Sequence, residues 1–263
     1  MAGALFCRPG GHARDDAQLS QRHTAAFAHA TSKTPMPTDA APTYQLFHSP
    51  GACSLAPHIA LELLGERCGV IWEPVRVVIA DGANRKPEYL AINPRGRVPA
   101  LSFRDADGRA QILTESTAIL LFLASRHPEA GLMASDPIAA IRTVEFLSWL
   151  ATTMHQTGVR TVFRPERFTT SADKAAHAAI GEQGRITVRA GYAELDAKLA
   201  GRRFAIGDSF SVVDAMLVVH YRWGNRCGID MRRDYPNFAA LVDGLRAIPA
   251  VERVIAREGI QVD

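Results

Sequence analysis

His48-Ser49-Pro50-Gly51-Ala52-Cys53-Ser54 follows a short apolar segment, Tyr44 to Phe47, and runs at once into a helical stretch, Leu55 to Leu64. Pro50-Gly51 demands a tight turn between the two. Strand, turn and helix in that order put Cys53 at or just before the first helical turn. Unpaired N–H groups and the positive end of the macrodipole gather there. Both favour a thiolate, so the position predicts a thiol with a lowered pKa. The other reading of an isolated cysteine is a small buried hydrophobe. Ser54 adds a second small hydroxyl at the same helix end.

The strand signal recurs downstream. Val70–Ile79 is rich in Val and Ile and reads as a second strand, and a short helix fits Pro87–Leu90. Val98–Phe103 and Ala110–Leu113 flank Asp105-Ala106-Asp107-Gly108, an Asp-Gly hairpin signal. Glu115–Ser125 then reads as a helix. One crossover gives a parallel pair and one hairpin an antiparallel pair, so the expected four-stranded sheet is mixed. After Pro128 strand signals nearly vanish. Pro137–Val159, Ala172–Leu199, Ser211–Arg226, Pro236–Ile248 and Ala250–Glu258 carry helical period. The expected organisation is an α/β domain over 43–127 and an all-helical domain over 136–263. Ser211 and Asp214 read as a capping box with a structural role only.

Residues 1–42 are rich in small and polar residues without a sustained hydrophobic period. They read as a disordered extension that is neither a secretory signal nor a transit peptide. Met36 stands near the start of the patterned region, so a start codon placed too far upstream is one expectation.

The 263 residues are 47% hydrophobic and 22% charged, with a formal net charge of +3. That balance carries no nucleic-acid footprint, and the arginines are spread along the chain rather than massed on one stripe. No apolar run approaches the ~18 residues of a membrane span. Cys7, Cys53, Cys68 and Cys227 show no metal or disulfide spacing, which fits a reducing compartment, and no metal is expected.

Three further stretches bear on chemistry. In Asn93-Pro94-Arg95-Gly96-Arg97-Val98-Pro99, Pro99 enters a strand it cannot hydrogen-bond into. It is either an ordinary first strand residue or the second half of a cis bond. In the cis case, Val98 turns its backbone groups away from the sheet, toward an extended peptide ligand. Glu115-Ser116 opens a helix and reads either as a plain N-cap or as a holder of an α-amino acid head group, carboxylate for amine and hydroxyl for carboxylate. Ser148, Thr152, His155 and Val159 share one stripe of a long helix. Facing water, the stripe does nothing; facing the cleft between domains, it brings His155 to hydrogen-bond Cys53.

Ser49-Pro50-Gly51-Ala52-Cys53-Ser54-Leu55, Ala91-Ile92-Asn93 through Val98-Pro99-Ala100-Leu101, Leu113-Thr114-Glu115-Ser116 and Phe163-Arg164-Pro165 together resemble the glutathione transferases of the bacterial beta class. The resemblance spans residues 44 to about 259. It implies a thioredoxin-like domain followed by an all-helical one, in a cytoplasmic homodimer. Glutathione is implied as co-substrate, with no cofactor, no nucleic acid and no membrane as partner. Carried over by residue, it implies that Cys53 contacts the glutathione sulfur. Val98 pairs with the cysteinyl backbone ahead of a cis Pro99, Glu115 and Ser116 hold the γ-glutamyl group, and His155 lines the site. Ser148 falls where the family often has Asn. Three departures stand out: Gln156 for a Lys, His48 for a Tyr, and Asp81 in a loop that usually brings a Lys, with Arg85 or Lys86 as substitutes.

The expected activity is conjugation of the glutathione thiol to small electrophiles, a detoxification chemistry, with Cys53, Ser54 and His155 supporting the thiolate. Two alternatives remain at this level. One is a thiol–disulfide reductase working through a mixed disulfide at Cys53. The other is a low-turnover binder of apolar ligands.

Overall fold

The computed structural model describes residues 43–263, so the extension expected over 1–42 lies outside the described residues. Four strands form one sheet: β1 (Tyr44–His48), β2 (Trp72–Arg76), β3 (Ala100–Arg104) and β4 (Ala110–Thr114). Their order is β2-β1-β3-β4. β1 and β2 run parallel, and the other two pairs are antiparallel, so the sheet is mixed as expected. β2 is shorter than its Val/Ile content suggests. It carries Pro74 and takes an edge, where a missing donor is tolerated.

Helix α1 (Leu55–Cys68) joins β1 to β2. Leu55, Ile59, Leu61, Leu63 and Leu64 are all buried, so the helix is apolar around most of its circumference. Such a helix must be covered on more than one side. The sheet covers one face, and two helices of the C-terminal part, α7 (Val212–Arg226) and α10 (Pro249–Glu258), cover another. Glu62 binds Arg253 and Arg257 of α10, both at 2.8 Å. The rest of the N-terminal part is the short α2 (Pro87–Leu90) and α3 (Ser116–Arg126).

The C-terminal part is helical. It contains α4 (Pro137–Trp149), α5 (Arg160–Phe163), α6 (Lys174–Leu199), α8 (Met231–Asp234) and α9 (Pro236–Arg246), besides α7 and α10. Between α4 and α5 the chain stays helical but widens into a π-helix, Leu150–Val159. Glycines of α6 let that helix approach the π-helix closely: a Cβ at Gly184 would lie 2.9 Å from the Gly158 carbonyl oxygen, and one at Gly191 would meet the Met154 sulfur. The start of α7 is fixed as the sequence suggested. The Asp214 carboxylate accepts from the Ser211 N–H and hydroxyl, both at 2.8 Å, and from the Ala205 N–H at 2.7 Å. Among the described residues, no helix is long and apolar enough to cross a membrane.

Candidate functional site

The turn after β1 is built around Gly51 and Ser54. Gly51 has φ +64°, and a Cβ there would lie 2.5 Å from the Arg222 guanidinium, so only glycine fits. The Ser54 hydroxyl donates to the Ser49 carbonyl and accepts from the Ser49 N–H, each at 3.1 Å. Its side chain is fully buried with its one donor engaged. Ser54 therefore closes the turn from inside and does not reach the cleft, contrary to its expected role beside Cys53.

Gly51 is held on both sides by the helical part. Its N–H donates to Glu258 Oε2 at 2.7 Å, from the last turn of α10. Its carbonyl accepts from Trp223 Nε1 at 3.1 Å and Arg222 Nη1 at 3.2 Å, from α7. Glu258 Oε1 is bound by His58 Nδ1 at 2.7 Å, and His48 Nδ1 lies 3.2 Å away. All three side chains are buried. Burial works against the Glu258 carboxylate, but the two imidazoles and the Gly51 N–H outweigh it and hold its pKa down to about 2. Burial dominates at His58 and lowers its pKa, so a neutral ring donates its Nδ1–H to a charged carboxylate. At 2.7 Å, His58 Nδ1 and Glu258 Oε1 are in direct hydrogen-bond contact, closer than the roughly 3.3 Å that separates two ligands of one tetrahedral ion, and Glu258 already spends its other oxygen on Gly51. The sequence marks His48 only as a departure from the family's Tyr, and its meeting with His58 and Glu258 is not visible there.

Cys53 lies just before α1, its Sγ 3.5 Å from the Val98 carbonyl. The Val98–Pro99 bond is cis. The loop before it is pinned by Tyr89 Oη and Asn93 Nδ2, which donate to the Arg97 carbonyl at 2.6 and 2.7 Å. The Ser116 hydroxyl donates to the Cys53 carbonyl at 3.4 Å. The lowered thiol pKa expected from the helix end is not found. Burial pushes the Cys53 thiol up, and the hydrogen bond from Ser116 and the charge of Arg160 only partly oppose it. Desolvation at this seat exceeds what one helix terminus supplies. Glu115, before α3, has φ +71° and ψ +121°, a conformation rare outside glycine that marks a constrained position. Its carboxylate meets Arg95 at 3.3 Å in an exposed pair.

A cavity of about 860 Å³ opens between the two parts. Cys53, Val98, Pro99, Glu115, Ser116 and His155 all line it. Ser148 does not: it is exposed, and its hydroxyl turns back to the Val144 carbonyl at 2.7 Å. Thr152 does the same toward Ser148. The expected stripe fails because the π-helix spends one more residue per hydrogen-bonded turn than an α-helix. Residues in phase at a period of 3.6 fall out of phase across it. The residues that face the cavity here recur every four, at Ala151, His155, Val159, Phe163 and Arg167. His155 reaches the cavity but makes no hydrogen bond to Cys53. Its ring packs on Trp223 at 4.5 Å. Burial, then the charges of Arg160 and Arg97, lower its pKa to about 4, so it stays neutral.

Of the loop substitutes, Arg85 lines the cavity, whereas Asp81 and Lys86 do not; Gln156 lines it too. The arginines spread along the sequence converge in space, and nine of them reach this one cavity. That cationic lining is unlike the apolar pocket a low-turnover ligand sink needs.

The family model described as glutathione S-transferase, N-terminal domain, matches residues 51–126, and the one described as glutathione S-transferase, C-terminal domain, matches residues 178–244. A glutathione S-transferase of Xanthomonas campestris, GST-4.5, is 33% identical over 224 residues, 82% of this chain and 95% of that protein. The crystal structure of a glutathione transferase homologue from Sulfitobacter with bound glutathione superposes with TM-score 0.73 at 31% identity, covering 84% of this chain and 100% of that one. A beta class glutathione S-transferase of Sphingomonas chungbukensis superposes with TM-score 0.68 at 33% identity, over 82% and 100%.

Proposed function

The chain belongs to the glutathione transferase family, and from that premise we propose that it is an enzyme joining the glutathione thiol to small electrophiles in the cavity beside Cys53. The observation that carries this reading is the convergence of Cys53, the Val98–Pro99 backbone, Glu115 and Ser116 on one wall of that cavity. Glutathione would lie along this wall. Its ammonium would pair with Glu115, its γ-glutamyl carboxylate with Ser116, and its cysteinyl backbone with Val98. In the reaction the thiol gives its proton to solvent and a sulfur lone pair forms a C–S bond with the electrophilic carbon. Either a leaving group departs with its electron pair, or the π pair of a double bond moves to the neighbouring carbon, which takes a proton.

The state of Cys53 favours conjugation over disulfide reduction. A reductase needs Cys53 as a thiolate to attack a disulfide sulfur. Burial keeps it protonated instead. A protonated thiol can donate a hydrogen bond to the glutathione sulfur, which a thiolate cannot. Arg160 adds positive potential at the same point, favouring the glutathione thiolate. Neutral His155 packs as a wall rather than acting as a base.

The same reading includes a homodimer and a cytoplasmic, detoxifying role. Cys53, Cys68 and Cys227 are free, which suits a reducing compartment. Sedimentation at micromolar concentration tests the dimer. Retention on immobilised glutathione, followed by conjugation assays with a panel of electrophiles, tests the activity. Passage through the column with no conjugation of any electrophile would remove this reading.

A further inference from the structure

Among the described residues, nine arginines line the cavity against a single carboxylate, Glu115. Arg76, Arg85, Arg95 and Arg97 come from the thioredoxin-like part. Arg160, Arg164, Arg167, Arg222 and Arg226 come from the helical part. Some of these have partners: Arg95 meets Glu115, and Arg222 is spent on the Gly51 and Gln261 carbonyls. Among the described residues, Arg97, Arg160, Arg164 and Arg167 form no ion pair with any carboxylate.

Arg97, Arg164 and Arg167 are close enough for their charges to act on Arg160. Burial and then the charges of Arg97, Arg167 and Arg164 lower the pKa of Arg160. Guanidinium groups do not give up their protons in proteins. The crowding around Arg160 is therefore a repulsion that an anion bound in the cavity relieves. Glutathione relieves part of it. It carries two carboxylates and one ammonium, and the ammonium has Glu115. Two carboxylates do not use up nine arginines, and five of the nine are on the helical wall, across the cavity from the wall assigned to glutathione above.

That wall is ordered for the task. Gln156, Arg160 and Arg164 recur every four residues, one step round from His155 and Val159. Arg160 is half-buried, near enough to Cys53 for its charge to act on the thiol. Arg164 and Arg167 are exposed at the mouth, where they draw anions in.

We propose that the electrophilic substrate is itself an anion, a small carboxylate-bearing molecule whose carboxylate is held by Arg160 and Arg164 while its reactive carbon faces the glutathione sulfur. The proposal rests on the conjugation reading and adds to it the charge of the second substrate and the residues that select it.

Calorimetric titration with two S-conjugates tests this without requiring turnover: S-(dinitrophenyl)glutathione and its analogue with a carboxylate on the ring. The carboxylated conjugate should bind at least tenfold more tightly at low salt, which is about 1.4 kcal/mol. The preference should shrink as ionic strength rises. Arg160→Gln should bring the ratio of the two dissociation constants toward one. Arg164→Gln, at an exposed position where folding is not at stake, should lower the ratio severalfold. Equal affinities in the unsubstituted protein, or a preference that survives both substitutions, would overturn the anion assignment and leave the transferase reading standing. Failure of both conjugates to bind would remove the transferase reading and this proposal with it.

Discussion

Glu258→Gln keeps the shape of the side chain and deletes its charge, so it isolates what the buried carboxylate contributes. In the folded protein the Glu258 pKa is about 2, against an ordinary value of 4.5. At 1.36 kcal/mol per pH unit, that gap corresponds to about 3 kcal/mol favouring the folded state when the group is charged. Because the folded value is the lower one, the unfolded chain takes up the proton first as the solution is acidified. The stabilisation is complete above pH ~4.5 and is lost as the pH falls toward 2. Glutamine can still accept from His58, but its amide then faces the Gly51 N–H, donor against donor. The variant should lose about 2–4 kcal/mol, or roughly 5–12 °C of Tm for a domain of this size. Urea denaturation of both proteins, at one protein concentration and several pH values from 7 to 3.5, gives the difference curve. It should be flat from pH 7 to about 5, then narrow below about 4.5 by at most about 1.4 kcal/mol per unit, because His58, whose pKa Glu258 helps to raise against burial, titrates differently in the two proteins and opposes the trend. Asp214, whose pKa burial raises to about 6, titrates in the opposite sense but is present in both proteins and cancels. A difference below about 0.5 kcal/mol at neutral pH, the range of an ordinary surface substitution, would refute the reasoning. So would a gap that widens in acid.

Cys53→Ala should remove the hydrogen-bond donor to the glutathione sulfur and lower conjugation kcat by roughly tenfold, while Cys53→Ser should retain most of it; a loss of 10²-fold or more with Ser as well would indicate covalent work by the thiol. Alkylation of Cys53 by a thiol reagent should be slow at neutral pH, accelerate in alkali and be blocked by glutathione, and rapid labelling at pH 7 would contradict the burial argument. Asp214→Ala leaves the Ala205 and Ser211 N–H groups without their acceptor and should cost about 2–4 kcal/mol in chemical denaturation. Gly191→Ala should destabilise despite a helix-propensity gain of about 1 kcal/mol, because its Cβ would meet the Met154 sulfur; a raised Tm would show that the π-helix yields easily.

The sheet was legible because its signals are local. The Asp105–Gly108 turn, the alternation beside it and the Pro50-Gly51 break each act within a few residues, and β1 and α2 begin and end where the sequence indicated. The long helix was legible as a helix but not in its phase. Periodicity analysis assumes 3.6 residues per turn, and nothing in Leu150–Val159 announces a wider ladder. Ser148 falls on the cleft stripe at that period, and the family position where Asn is common points the same way, yet it faces solvent. His155, seven residues further on, still reaches the cleft, because the register drift turned one residue away while leaving the other in place.

The site itself was legible only where it is made of consecutive residues. Cys53, Val98, Pro99, Glu115 and Ser116 stand in short stretches that a sequence can display. Glu258 is 207 residues from Gly51 and 200 from His58, and its only local oddity is an acid in the last turn of a helix, against the macrodipole. Yet the turn that carries Cys53 has one end of its Gly51 peptide bound to α10 and the other to α7. Its geometry is therefore set by helices contributed from the far end of the chain. The arginines follow the same logic, since spacing along a sequence says nothing about convergence once a π-helix and a loop before a cis bond face one another. A thiol seated at a helix end by local sequence takes its protonation state from groups remote in sequence: burial raises its pKa, and the Ser116 hydroxyl, 63 residues on, and then the charge of Arg160 partly oppose that. The strand–turn–helix segment places Cys53 at the cavity, and the distant helices hold the turn that carries it.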